Sequence, residues 1–202
     1  MIKSFGPNKI STAIFISGTG SNLKNLIRFS LLKNSPIKID YVVSNNINAA
    51  GLNFSKKYKI DTKVFNYKNK FRAENSILKN LKKNKIKLIC LAGFMKVLSK
   101  NFIKKFKGKI INIHPSLLPK YKGLNTHYRV IQNKEKFSGC TVHFVNSNLD
   151  SGKIIIQKKI KVYKSDNPKS LAKKILKQEH ILYPKAISKI ASNLWKKILF
   201  LF

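Results

Sequence analysis

Residues 12–23 read TAIFISGTGSNL. An apolar, β-branched run is followed by two glycines within three positions and then by Ser-Asn-Leu. This is the pattern of a buried strand turning sharply into a helix. The glycines permit a tight turn and expose backbone N–H groups, and the helix N-terminus adds a positive dipole, so the turn is a potential anion cradle. It is not the dinucleotide fingerprint G-x-G-x-x-G, because Leu23 occupies the third glycine position. It is not a P-loop either, because no Gly-Lys-Ser/Thr follows. Gly20, Ser21 and Asn22 suit a phosphate monoester better than a pyrophosphate. The same residues also fit an ordinary strand–helix turn with Ser21 or Asn22 as N-cap.

Outward from this turn, strand and helix patterns alternate. A helix is expected from about Leu23 to Leu32, then a strand at 37–45, helical spacing from Ala49 to Tyr58, and a strand at 61–66. A helix at 71–83 places Ile77, Leu78 and Leu81 on one face. A continuous apolar strand is expected at 87–95, a short helix around VLSKNFIKKF, and a strand at 109–114. After a long loop come two more strands, 141–146 and 153–162, with no helix between them. A long helix kinked at Pro184 closes the chain. The fold class is therefore α/β: a doubly wound, mostly parallel Rossmann-like sheet with an antiparallel edge hairpin, in a single domain spanning residues 1–202. Such sheets bind ligands at the carboxyl ends of their strands.

The 202 residues suffice for one sizeable core. The apolar stretch near the N-terminus, about six residues, is shorter than a signal-peptide core, and no run long enough to span a membrane exists. A cytoplasmic location without membrane partners is expected. Cys90 and Cys140 form neither a CxxC pair nor a disulfide framework, and no metal is expected. The net charge of +35 invites a nucleic-acid reading, but the only arginines are Arg28, Arg72 and Arg129. Nucleic-acid binders lean on the planar, bidentate guanidinium. The lysines are spread along the whole chain, and the abundance of Lys, Asn, Ile, Phe and Tyr matches AT-rich codon drift. No specific nucleic-acid partner is expected. Only seven carboxylates remain, at Asp40, Asp61, Glu74, Glu135, Asp150, Asp166 and Glu179, so each carries more than the usual weight.

Asn112-Ile113-His114-Pro115 ends the fifth strand. Residues i and i+2 of a strand share a face, so an amide and an imidazole are presented together. An imidazole exchanges protons near neutral pH, and an amide N–H stabilises a developing oxyanion. A lone histidine is also commonly a satisfied structural residue; the paired Asn, the strand-end position and the Pro-bounded loop favour chemistry. Asp150-Ser151-Gly152 lies between the last two strands. A carboxylate there can fix the tautomer of His114, although Asp before Gly is also an ordinary turn pair.

With these three motifs in place, the chain resembles the glycinamide ribonucleotide formyltransferase family of purine biosynthesis. The matching stretches are ISGTGSNL (16–23), LAGFMKVLS (91–99), INIHPSLLPKYKGLNTH (111–127), GCTVHFVNSNLDSGKIIIQ (139–157) and QEHILYP (178–184). The resemblance implies that Asn112, His114 and Asp150 are the catalytic trio and that Gly20, Ser21 and Asn22 bind the substrate phosphate. It implies that Glu179 contacts the riboside and that Met95, Lys96, Val97 and Leu98 line the folate pocket. Arg72 or Lys70 fills a further basic position in a loosely aligned stretch. The implied co-substrate is 10-formyltetrahydrofolate, acting with small-molecule partners on a monomer or homodimer.

The chain departs from the family pattern at Asn125, where histidine is frequent, at Lys122 and Lys153, where proline is usual, and at Lys96, where arginine is common. Lys and Arg are not equivalent in gripping carboxylates. The C-terminus, ending in LFLF, looks short. Two related enzymes are disfavoured. Initiator-tRNA formyltransferase has an added C-terminal domain and lacks the Gly-Ser-Asn loop, and formylfolate hydrolase has an added N-terminal domain. A basic nucleic-acid binder on an inactive formyltransferase fold and a decayed homologue are further alternatives.

Overall fold

The computed structural model describes residues 9–199, with side chains described for residues 9–192. The first residues of the N-terminal reading and the LFLF tail from 200 onward lie outside them. Seven strands form one sheet: β1 (Ile10–Ile16), β2 (Ile37–Ser44), β3 (Thr62–Val64), β4 (Leu88–Leu91), β5 (Lys109–His114), β6 (Phe137–Phe144) and β7 (Ile154–Lys161), in the order β3-β2-β1-β4-β5-β6-β7. The pairs from β3 to β5 are parallel. β6 is antiparallel to both β5 and β7, which gives the expected antiparallel edge hairpin. The helices are α1 (Ser21–Ser30), α2 (Leu52–Lys57), α3 (Lys70–Lys83), α4 (Lys100–Lys105), α5 (Thr126–Gln132) and α6 (Pro168–Leu199).

The alternation along β1 builds two cores. Ile14 and Ile16 join Leu23, Leu26 and Ile27 of α1 and Leu171, Ile175 and Tyr183 of α6 on one face. Ala13 and Phe15 join Ala73 and Ile77 of α3 and Phe102 of α4 on the other. Burial on both faces explains why the strands read as continuous apolar runs. In β2 the register slips past Asp40, so Ile39 and Val42 face the first core while Tyr41 and Val43 face the second.

Several boundaries differ from the sequence reading. The fourth strand stops at Leu91 rather than running to Met95, because Gly93 takes φ +76° and turns the chain into a loop. The expected loop after β5 contains α5, a short helix opened by Asn125 in the left-handed region. α1 starts at Ser21, earlier than expected, and its N-cap is Gly20 at φ 73°, with no side-chain cap from Ser21 or Asn22. α6 continues through Pro184. The Tyr183 hydroxyl donates to the Leu91 and Ile111 carbonyls, fixing α6 to β4 and β5.

Candidate active site

The loops after β1, β4 and β5 and the β6–β7 connection converge on a cavity of about 770 Å³. Asn112, His114 and Asp150 all line it, so the structure brings the sequence-predicted trio together. The β6–β7 connection is closed at its base by Phe144 N–H donating to the Lys153 carbonyl. Gly152 packs so tightly on the Phe144 carbonyl that a Cβ there would collide with it. Asp150 itself takes φ 44°. This geometry folds the carboxylate back over β5.

Asp150 Oδ2 accepts the Gly123 N–H at 2.9 Å and stands 3.3 Å from His114 Nδ1. The other ring nitrogen, His114 Nε2, lies 2.8 Å from the Tyr121 carbonyl, a partner that accepts only, so Nε2 carries a proton. Burial pulls the His114 imidazole below its ordinary range, against the opposing pull of the Tyr121 carbonyl and of Asp150. The remaining nitrogen, Nδ1, faces Asp150. Burial pushes the Asp150 carboxyl up, but the His143 ring, the Gly123 amide and the charge of His114 outweigh it, and the group lies below the usual carboxylate range. An imidazole nitrogen and a carboxylate oxygen therefore face each other across 3.3 Å, a place where a proton between them is strongly favoured.

His143, on β6, is a site residue that sequence reasoning missed. It is the cross-strand partner of Asn112 and is almost fully buried. Its Nδ1 lies 2.8 Å from the Phe144 carbonyl, which fixes a proton there and leaves Nε2 facing Asn112 and Asp150. The Asn112 amide nitrogen sits 3.3 Å from that Nε2 and 3.4 Å from Asp150 Oδ1. Both contacts are at the long end of the hydrogen-bonding range, so neither binds the amide tightly. His127, on α5, also lines the cavity; its Nδ1 is buried without a protein partner, and burial lowers its pKa. Neither histidine is visible in the sequence without knowing which strand pairs with β5 and that residue 126 begins a helix.

The far end of the cavity is formed by Thr19, Ser21, Asn22 and Glu179. The Asn22 amide donates to Glu179 Oε2 at 2.7 Å, joining α1 to α6. Burial lifts the Glu179 carboxyl above its ordinary range, with the Asn22 bond holding it back. Gly20 lies behind the wall. A Cβ on it would collide with the Gly51 backbone, so the left-handed glycine lets α1 start close to the following loop. Met95, Lys96, Val97 and Leu98 form another wall, with Met95 and Val97 presenting exposed apolar side chains. Arg72 is not brought to the cavity; it lies in the first turn of α3, where its N–H donates to the Asn69 cap. Lys122 contacts the Asp150–Gly152 turn, its Nζ donating to Ser151 Oγ at 2.6 Å.

The family model described as formyl transferase matches residues 10–187. A phosphoribosylglycinamide formyltransferase from Haemophilus influenzae is 40% identical over 178 residues, covering 87% of this chain and 84% of that protein. The trifunctional purine biosynthetic protein adenosine-3 of Homo sapiens is 41% identical over 193 residues, 94% of this chain but 19% of that protein; the chain thus spans about a fifth of that relative's length. Among solved structures, phosphoribosylglycinamide formyltransferase from Brucella melitensis superposes with a TM-score of 0.86 at 42% identity, covering 91% of this chain and 96% of that one. The enzyme from Anaplasma phagocytophilum gives a TM-score of 0.86 at 40% identity, covering 92% of this chain and 88% of the other. By its match to this family model and its similarity to these enzymes over most of its length, the chain belongs to the formyl transferase family, among the phosphoribosylglycinamide formyltransferases.

Proposed function

We propose that the protein, as a single formyltransferase domain (residues 1–202), transfers the formyl group of 10-formyltetrahydrofolate to the amine of glycinamide ribonucleotide. The observation that carries this reading is the Asn112–His114–Asp150 cluster in one cavity, with a helix N-terminus and Glu179 at its other end.

The ribonucleotide phosphate meets the first turn of α1, whose N–H groups lack intrahelical partners. Glu179 receives the ribose hydroxyls, and the folate rests on Met95 to Leu98. The substrate amine attacks the formyl carbon, forming a C–N bond and placing a negative charge on the formyl oxygen. Asn112 stabilises that oxygen through its amide N–H, and His114 adds to it once Nδ1 carries a proton. An oxyanion donor of this kind is worth about 10²–10³-fold in rate. The proton released by the amine goes to the Asp150–His114 pair, directly or through a water. The bond from the carbon to the folate nitrogen then breaks, and that nitrogen takes up a proton. The reading includes a cytoplasmic enzyme with small-molecule partners only, as a monomer or homodimer. Among the described residues no helix is long and apolar enough to cross a membrane.

The test is a transfer assay with purified protein, 10-formyltetrahydrofolate and glycinamide ribonucleotide, following conversion of the folate. Conversion that requires the ribonucleotide supports the reading. Conversion without it indicates a hydrolase, and no conversion by folded protein overturns the reading.

A further inference from the structure

Glu74 is a buried carboxylate far from the trio in sequence, and it has no role in the chemistry above. Its exposure is 4%, and among the described residues no Lys, Arg or His forms a salt bridge with it. A buried carboxylate without a cation is costly unless donors solvate it. The donors come from one residue: Ser99 gives its backbone N–H to Oε1 at 2.9 Å and its hydroxyl to Oε2. The Ser99 oxygen in turn accepts the Phe102 N–H at 3.0 Å as the N-cap of α4. Glu74 therefore fixes the first residue after Leu98.

The other end of the 93–98 wall is held by Ser17, the residue after β1. Ser17 N–H donates to the Gly93 carbonyl at 3.2 Å, and Met95 N–H donates to Ser17 Oγ at 2.7 Å. Between the two anchors, Phe94 packs edge-on against Phe15 and Tyr67, with ring centroids 5.3 and 5.7 Å away. Lys96 and Val97, both exposed, are left to be placed by what lies before and behind them.

We infer that Glu74 is a positioning residue for the donor pocket: through Ser99 it sets the height of the 95–98 wall over the cavity. The inference rests on the reading that this wall receives the folate. Glu74 touches no reacting atom, so its removal loosens the grip on one substrate and leaves the chemistry alone. A charge-assisted hydrogen bond is worth enough for roughly a 10-fold effect or more.

The test measures kcat and both KM values for Glu74→Ala, Glu74→Gln, Ser99→Ala and Ser99→Thr, with folate binding to each protein followed directly by fluorescence. The expected result is a donor KM and folate Kd raised about 10-fold in Glu74→Ala. The rise should be smaller in Glu74→Gln and Ser99→Ala, and Ser99→Thr, which keeps both donors, should restore the wild-type value. In every variant kcat and the ribonucleotide KM should stay within about 2-fold of wild type. Equal losses in kcat and both KM values, or an unchanged folate Kd in a folded Ser99→Ala protein, overturn the inference while the transferase reading stands. A wild-type protein that binds no folate overturns both.

Discussion

The Gly123 N–H donates to Asp150 Oδ2, the same carboxylate oxygen that faces His114 Nδ1. The loop after β5 and the connection after β6 therefore meet at one atom. Lys122 repeats the clasp one residue away by reaching Ser151. Asp150→Asn keeps the shape and can still accept the Gly123 amide through its oxygen, but it cannot take up a proton beside Nδ1. Turnover should fall by about 10²-fold or more, the range of a positioned acid–base group. The melting temperature should change little. Steady-state kinetics and a thermal melt on the same preparation check this; near-wild-type kcat would remove Asp150 from the reaction.

The contact of His143 with Asn112 makes its role testable. Its Nε2 faces the Asn112 amide nitrogen, so His143→Ala should let the amide rotate and lower kcat by about 10–10²-fold, the scale of small misplacements at a reacting centre. His143→Gln, which restores an acceptor near the same place, should recover part of the loss. If Gln behaves no better than Ala, the acceptor is not what matters at this position.

Stability should depend on pH with a defined sign. His114, His127 and His180 all have folded pKa values pulled below 6.5 by burial. The unfolded chain then binds more protons as pH falls, so stability is present above about 6.5 and is lost as pH drops from there toward the folded values. Glu179, raised by burial, contributes with the opposite sign above its unfolded value of 4.5. Three groups against one predict a melting temperature that declines between pH 7 and 5.5. His127→Gln, which removes one of the three, should flatten the decline; an equally steep slope in that variant would show that His127 is not a contributor.

The +35 net charge predicts a salt response. The described lysines that pair with carboxylates are few: Lys38, Lys120 and Lys174. The remainder repel one another, and at about 0.1 M salt the screening length shrinks to roughly 10 Å. The melting temperature should rise by a few degrees between about 10 and 150 mM sodium chloride. A flat response would mean that the lysines are too far apart to interact.

The parallel core was readable because strands buried on both faces leave uninterrupted apolar runs, and β5 was placed to the residue for that reason. The trio was readable because strand alternation alone puts Asn112 and His114 on one side. What stayed hidden depends on pairings between distant segments. α5 is opened by a left-handed Asn125 with no side-chain cap, so it lacks the usual start signal. The fourth strand looked longer than it is because GFM continues its apolar pattern while Gly93 bends the backbone away. Glu179 reaches Asn22 across 157 positions of sequence, and only the packing of α6 on α1 brings them together.

The surroundings of Asp150 have an implication for how such a chain tolerates its composition. The groups that touch this carboxylate are a peptide N–H, an amide and two imidazoles, all within 4 Å and mostly shielded from solvent. No lysine or arginine is among them. Surface cations lie beyond this shell and are screened by water and salt. The carboxylate is therefore held by backbone, amide and imidazole groups, while the Arg129 charge still reaches its partner His114. Lysine substituted at outer positions leaves the direct contacts of this carboxylate in place.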